Sequence, residues 1–323
     1  MKPEIYKRIY VLGSGFSKSM SKKMPAMREL TTKLKKHNNR KYPELMRFIS
    51  QLEEQSNNSP ELMSVESITS LILGRRLFYN NDNYLHFQIL RNQLLHWLHE
   101  NIHSAAHDVD EDKEELLIKF IRKCATPDEH GHKSLVITFN YDLLIESLFK
   151  RRLFDDVELD YMIKLNSYFG KEIHPDPGKN LFRYIKLHGS FNWFRSPGSN
   201  ECNVDNVYRS DFDDVSRDLI HHGDIPVFIP MAFTKQNFFE GSFYNVIWNI
   251  AIRYLEMAEE INFIGYGFPA TDRDNLAMFL NYKDKIKDIV TRGDRGARDA
   301  RLISLFGKEK MCKMDAAKYI ELL

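Results

Sequence analysis

Four short stretches of this sequence carry residue types that can do chemistry beside a bound ligand. They are Gly13-Ser14-Gly15-Phe16-Ser17, Asn140-Tyr141-Asp142, His188-Gly189-Ser190 and Gly265-Tyr266-Gly267. Glycines without a Cβ let a backbone turn sharply and come close to a ligand. If a helix follows Gly13–Ser17, its first N–H groups point into the turn, where a phosphate is the usual occupant. A plain tight turn needs the same glycines, and Ser14 and Ser17 are ordinary turn residues as well as hydroxyl donors. The dinucleotide fingerprint G-x-G-x-x-G fails, because position 18 is Lys18. Asn140 sits where a strand gives way to a helix, so its amide either caps that helix or addresses a ligand or a water. Asp142 is expected in the first helical turn, where the helix dipole favours a carboxylate; it could equally accept a hydrogen bond from a ligand amide. His188 offers a general base near neutral pH. Asp272 either contacts ribose hydroxyls or caps a helix.

Each stretch follows an apolar run of the kind that forms a buried strand: Ile9–Leu12, Ser134–Phe139, Phe182–Leu187 and Ile261–Ile264. Further strands are expected at Ile225–Ile229, stopped by Pro230, and near Ile289-Val290. Helical spacing falls between them, at Leu143–Phe149, Val246–Leu255, Leu276–Leu280 and Leu302–Leu305, with a last helix from Asp315. Strands alternating with helices predict an α/β fold, a Rossmann-like parallel sheet with helices on both faces. Ligands of such sheets bind outside the carboxyl ends of the strands, and parallel strands bring all four polar ends to one edge. Residues 42–106 show helical spacing and no convincing strand, and are expected to form a helical insert, serving as packing, a lid or a partner surface. Residues 195–222 are polar and read as an irregular excursion. The whole of 1–323 is expected to be one domain.

The 323 residues are 43% hydrophobic, enough for a sizeable core. Lys plus Arg number 46 against 45 Asp plus Glu, so no general pull toward nucleic acid or an anionic membrane is expected. Cys124, Cys202 and Cys312 are scattered and form no C-x-x-C pair, which argues against a zinc knuckle and for a reducing compartment. No apolar run reaches the roughly 18 residues of a membrane span. The N-terminus lacks the apolar stretch of a signal peptide, so the cytoplasm is the expected location.

Taken together and in order, these stretches resemble the sirtuin-like (SIR2) NAD-binding superfamily, and within it the bacterial SIR2-like domains of antiphage defence systems. The resemblance runs from Gly13-Ser-Gly-Phe-Ser17 and Pro25 through Thr138-Phe-Asn-Tyr-Asp142 and Lys186-Leu-His-Gly-Ser190. It continues with Ile229-Pro230, Lys235, Trp248 and Ile264-Gly-Tyr-Gly-Phe-Pro-Ala-Thr-Asp272. Phe139 stands where the protein deacylases of the superfamily usually carry Gln, and the four-cysteine zinc module is missing. Both departures favour the defence-type domains, which hydrolyse NAD. At Gly267 a Ser is common in the family.

The resemblance implies roles. Gly13, Ser14, Gly15, Phe16 and Ser17 would bind the NAD phosphates and the nicotinamide-side ribose, with Gly265, Tyr266 and Asp272 also on the cofactor. Asn140 would position water or ribose. Asp142 would accept a hydrogen bond from the nicotinamide carboxamide, and His188 would act as general base or orient a ribose hydroxyl. NAD would be the substrate consumed, with no zinc. Such an enzyme implies control by a partner protein encoded nearby, by a signal or by assembly into an oligomer. A non-catalytic NAD or ADP-ribose sensor is the alternative, with an NAD-dependent protein deacylase third.

Overall fold

The computed structural model describes residues 6–25, 27–36, 41–57, 59, 62–74, 84–103, 105–167, 175–176, 178–196, 203–210, 223–232, 242–269, 272–292 and 296–323. Lys235, Cys202 and most of the 195–222 excursion lie outside these residues.

The main sheet is built from strands whose apolar runs have no polar face. In β1 (Tyr6–Leu12), Ile9, Val11 and Leu12 are fully buried, as are Leu135, Val136 and Ile137 of β2 (Lys133–Thr138). Continuous burial of this kind is what a parallel sheet covered on both faces requires. The sheet has seven strands in the order β11-β10-β9-β1-β2-β5-β3, and every paired strand is parallel. Here β3 is Val157–Asp160, β5 Asn180–Lys186, β9 Glu260–Ile264, β10 Ile286–Val290 and β11 Met311–Cys312. From β1 the chain passes to β2, runs to the edge at β3, fills the gap between them with β5, and later returns to β9 on the other side of β1. The strand order therefore reverses at β1, the position where sheets of this class place their ligands. Helices cover both faces of the sheet. Among them, α6 (Glu111–Ala125) packs on β2 and β5, and α8 (Ser242–Met257) packs on β1 and β5.

A second sheet has the order β4-β7-β6-β8, with β4 at Asn166–Ser167, β6 at Gly189–Arg195, β7 at Val207–Arg209 and β8 at Ile225–Phe228. It corrects two sequence expectations. The strand at Ile225 does not join the parallel sheet; it pairs antiparallel with β6, with Pro226 opposite Phe194. Proline has no N–H to give a ladder, which suits this edge position. The excursion is not wholly irregular either, since it contributes β7.

The described part of 42–106 consists of helices and short connections, with no strand among the described residues. The helices are α3 (Pro43–Ser56), α4 (Val65–Gly74) and α5 (Tyr84–His103), with α2 (Met27–Lys36) before them. Asn57 ends α3 in the left-handed conformation, and the amide of Ser67 bonds the hydroxyl of Ser64 at the start of α4 at 3.0 Å. These helices bury Leu45, Ile68, Leu94 and Trp97 together with Phe191 and Phe228 of the second sheet, forming a cluster separate from the main core.

Candidate functional site

The four polar strand ends come from β9, β1, β2 and β5, which are consecutive neighbours in the sheet. Backbone pairing carries on past the strands. Gly13 N donates to Ile264 O at 3.1 Å, Phe139 N to Leu12 O at 3.1 Å, and Leu187 N to Thr138 O at 2.9 Å. One edge thus holds all four, as parallel packing predicts.

The glycine turn leads straight into α1 (Ser14–Met20), and its glycines answer first to packing. Gly15 N donates to Gly265 O at 2.9 Å. A Cβ on Gly13 would lie 2.6 Å from Tyr266 Cα, and one on Gly265 (φ +70°) only 2.1 Å from Phe16 N. Phe16 N donates to Gly13 O at 2.9 Å, so the Gly15 and Phe16 amides already have backbone acceptors. The Phe16 side chain packs into the core against Phe120 of α6. Ser14 and Gly15 are the exposed part of the turn.

Ser17, Asn140 and Asp142 form a continuous hydrogen-bonded chain. Asn140 Nδ2 donates to Gly13 O at 2.9 Å and to Ser17 Oγ at 2.7 Å. Ser17 Oγ in turn donates to Asp142 Oδ2 at 2.5 Å. Asn140 is therefore not a helix cap; its amide ties the end of β2 to the turn after β1. Asp142 is not in the first turn of α7 (Leu144–Lys150) but two residues ahead of it, with Leu144 N 3.3 Å from Oδ1. The carboxyl is 5% exposed, and burial pushes its pKa above 3.8 while Lys186 and Ser17 pull it back down.

His188 lies in the two-residue turn between β5 and β6 rather than at the end of a strand. It is buried, with its ring edge-on to Phe139 at 5.0 Å. Phe139 in turn stacks on Tyr266 at 4.5 Å, forming an aromatic wall from β5 to β9 beside the Ser17–Asn140–Asp142 chain. At the β9 end, Tyr266 donates its hydroxyl to Asp272 Oδ2 at 2.9 Å, and Asn275 Nδ2 reaches the same hydroxyl at 3.3 Å. Asp272 stands at the N-cap of α9 (Arg273–Leu280), but its side chain makes no capping bond; the carboxylate serves Tyr266. Burial, then the Asp272 charge, raises the Tyr266 pKa well above 10.0.

Lys186 has partners that its place in the sequence does not reveal. Its side chain is fully buried, and Nζ donates to the Asp142 main-chain carbonyl at 2.6 Å and to Glu146 Oε1 at 2.7 Å. A lysine inside the apolar run Phe-Arg-Tyr-Ile-Lys-Leu was the available signal. Among the described residues, no group of three or more His, Cys, Asp or Glu side chains could hold a metal ion. No described helix is long and apolar enough to cross a membrane.

No protein-family model matches this chain. No curated protein matches it. Solved structures do overlay on nearly all of it. A crystal structure of a SIR2 homolog–NAD complex aligns with a TM-score of 0.47 at 12% identity, covering 98% of this chain and 87% of that one. A structure addressing the mechanism and regulation of Sir2 enzymes aligns with a TM-score of 0.45 at 12% identity, covering 98% and 90%. With both scores under 0.5, the fold assignment stands on the strand order and the parallel register given above.

Proposed function

We propose that this chain binds NAD and hydrolyses its nicotinamide N-glycosidic bond, releasing nicotinamide and ADP-ribose. The observation that supports this most directly is the Asn140–Ser17–Asp142 chain at the reversal point of the sheet, with His188 beside it across Phe139. These are residues to which the sequence resemblance assigns roles at the nicotinamide-side ribose, the attacking water and the carboxamide.

The chemistry follows from the groups. Asp142 accepts a hydrogen bond from the carboxamide N–H of nicotinamide and fixes the ring. Nicotinamide leaves as a neutral base, so this cleavage needs no general acid, unlike O-glycoside hydrolysis. The ribose gains oxocarbenium character, which oriented dipoles at the strand ends stabilise. Both N–H groups of the Asn140 amide are committed to Gly13 O and Ser17 Oγ. Its oxygen is the atom that would accept from the attacking water or a ribose hydroxyl. His188 takes the water's proton or orients the ribose. The exposed Ser14 and Gly15 face the phosphates.

Constant NAD consumption would poison the cell that makes the protein. The resemblance points to antiphage defence, and the toxicity implies that the enzyme is restrained until a partner protein, a nucleotide signal or assembly into an oligomer releases it. The test is conversion of NAD to ADP-ribose by the purified chain, alone and with the product of the adjacent gene, for wild type and Asn140→Ala. Absence of conversion in every wild-type arm, with overexpression tolerated by cells, would overturn the hydrolase reading.

One observation favours a second reading. The Asn140 N–H groups, the Tyr266 hydroxyl and the Asp272 carboxylate are all satisfied within the protein, as in a site that binds without turnover. A non-catalytic NAD or ADP-ribose sensor would keep nucleotide binding in the assay above and show no cleavage. A protein deacylase would consume NAD only when an acyl-lysine peptide is supplied.

A further inference from the structure

Lys186 and Glu146 are the most deeply buried ion pair at the candidate site, and the proposed chemistry does not use them. The Lys186 side chain is fully buried and that of Glu146 is 9% exposed. A charged pair so placed loses its hydration, and such pairs are often replaceable by apolar residues without loss of stability. Stability alone is therefore a weak reason for its presence. Its geometry suggests another. Nζ donates to the carbonyl of Asp142 itself, at 2.6 Å, while Glu146 Oε1 holds the ammonium at 2.7 Å and accepts from Tyr161 OH at 3.0 Å. The bond crosses from β5 to the segment joining β2 and α7, so it fixes the peptide from which the Asp142 side chain projects toward Ser17.

We propose that Lys186, held by Glu146, is a positioning residue: it pins the main chain at Asp142 and keeps a positive charge beside the carboxyl that Ser17 contacts. This rests on the reading of Asp142 as the acceptor for the nicotinamide carboxamide. The ionised form is the stronger acceptor, and burial works against it. The groups that face this carboxyl are Ser17 from α1, Lys186 from β5, Glu146 from α7 and the Leu144 amide. Lys186, Ser17 and Leu144 favour the ionised form, while burial and Glu146 oppose it. Tyr141 and Tyr184 lie within its field and titrate only at high pH, both raised by burial.

The experiment measures the Asp142 side chain directly, by carboxyl-carbon NMR titration of the full chain without NAD, with the resonance assigned by its loss in Asp142→Asn. Two variants move the charge in opposite senses. Lys186→Met with Glu146→Met removes both charges and keeps the volume, so the stronger Lys186 effect is lost and Asp142 should titrate higher. Glu146→Gln leaves the ammonium and removes the opposing carboxylate, so Asp142 should titrate lower. Opposite shifts support the proposal; a pair whose charges do not act on Asp142 would not produce them. An Asp142 titration unmoved in a folded double variant, or moved the same way by both, overturns it. Should the double variant fail to fold, Lys186→Gln, which loses the charge and keeps a donor for the Asp142 carbonyl, should raise the Asp142 titration instead, and no rise overturns the proposal. The acidic limb of NAD turnover is read in parallel. If Asp142 shifts as stated and that limb does not follow, the positioning role stands and the carboxamide role of Asp142 falls.

Discussion

Gly15 donates its amide to the carbonyl of Gly265 at 2.9 Å, joining the turn after β1 to the turn after β9 where the strand order reverses. The bond requires a contact between main chains that no side chain can enter. A Cβ on Gly15 would lie 2.8 Å from Gly265 O, and one on Gly265 would lie 2.1 Å from Phe16 N. Ser17 lies on the helix that begins at this contact.

Gly265→Ala is therefore expected to destabilise the protein by about 3 kcal/mol or more, adding overpacking of backbone to a left-handed conformation. Gly131→Ala provides the comparison. Gly131 has a φ of +79° with nothing within 4 Å of its would-be Cβ, so the cost should be limited to about 1–2 kcal/mol for the left-handed backbone. Denaturant unfolding of the two variants measures the difference. Equal losses would show that the turn-to-turn contact carries no weight.

Asn140→Ala removes the amide that joins Gly13 O and Ser17 Oγ. The Ser17 hydroxyl keeps Asp142 as its acceptor, so the stability loss should be about 1–2 kcal/mol. Under the proposed function, NAD cleavage should fall far more, by at least about a hundredfold, because the amide oxygen assigned to the water or the ribose is lost. Rate and unfolding free energy measured on one preparation separate the two effects. A rate loss no greater than the unfolded fraction predicts would remove Asn140 from the chemistry.

Much of this edge was legible in the sequence because parallel strands leave little choice. Once Ile9–Leu12, Ser134–Phe139, Phe182–Leu187 and Ile261–Ile264 are strands of one parallel sheet, the residues that follow them must share an edge. What escaped depended on tertiary partners. Asn140 has the sequence position of a helix cap, yet its amide reaches back across the sheet to Ser17, 123 residues earlier. Asp272 sits at an N-cap, yet its carboxylate serves Tyr266. The β8 strand pattern was clear, but its sheet was not, because partner choice is not written in local periodicity. The role of Lys186 was not legible, because Glu146 and the Asp142 carbonyl come to it from other elements.

Asp142 also makes stability depend on pH, and the sign follows from its environment. Burial is the largest influence and raises its pKa in the folded state above 3.8. An acid with a raised folded pKa contributes its full stabilisation below the unfolded value and loses it as pH rises through the folded one. Asp142→Asn carries no charge and keeps an oxygen to accept from Ser17. It should therefore be more stable than wild type at pH 8, with the advantage shrinking toward zero by about pH 4. Urea unfolding of both proteins across that range checks it. An advantage that grows on acidification would mean that the folded state depresses this carboxyl instead.

Two histidines on α5 act in the opposite direction. His99 is buried with Nε2 2.8 Å from Phe191 O, and His96 Nε2 lies 3.0 Å from Asp224 O. Burial lowers the pKa of both, that of His99 well below 6.5, where the neighbouring His103 adds to the effect. A base with a depressed folded pKa contributes stability that is present above the unfolded value and lost as pH falls below it. Wild type should thus lose stability from about pH 6.5 downward, at up to about 1.4 kcal/mol per pH unit for each histidine. His99→Gln can keep a donor for the Phe191 carbonyl and cannot gain a proton. It should be less stable than wild type at pH 8 but lose less on acidification, so the two unfolding curves converge toward pH 5. Because His99 joins α5 to β6 of the second sheet, the loosening should begin at the contact between the helical segment and that sheet. Amide exchange at pH 5.5 should rise first in α5 and β6, ahead of β1 and β2; exchange rising first in the central strands would exclude this pair as the acid-labile joint.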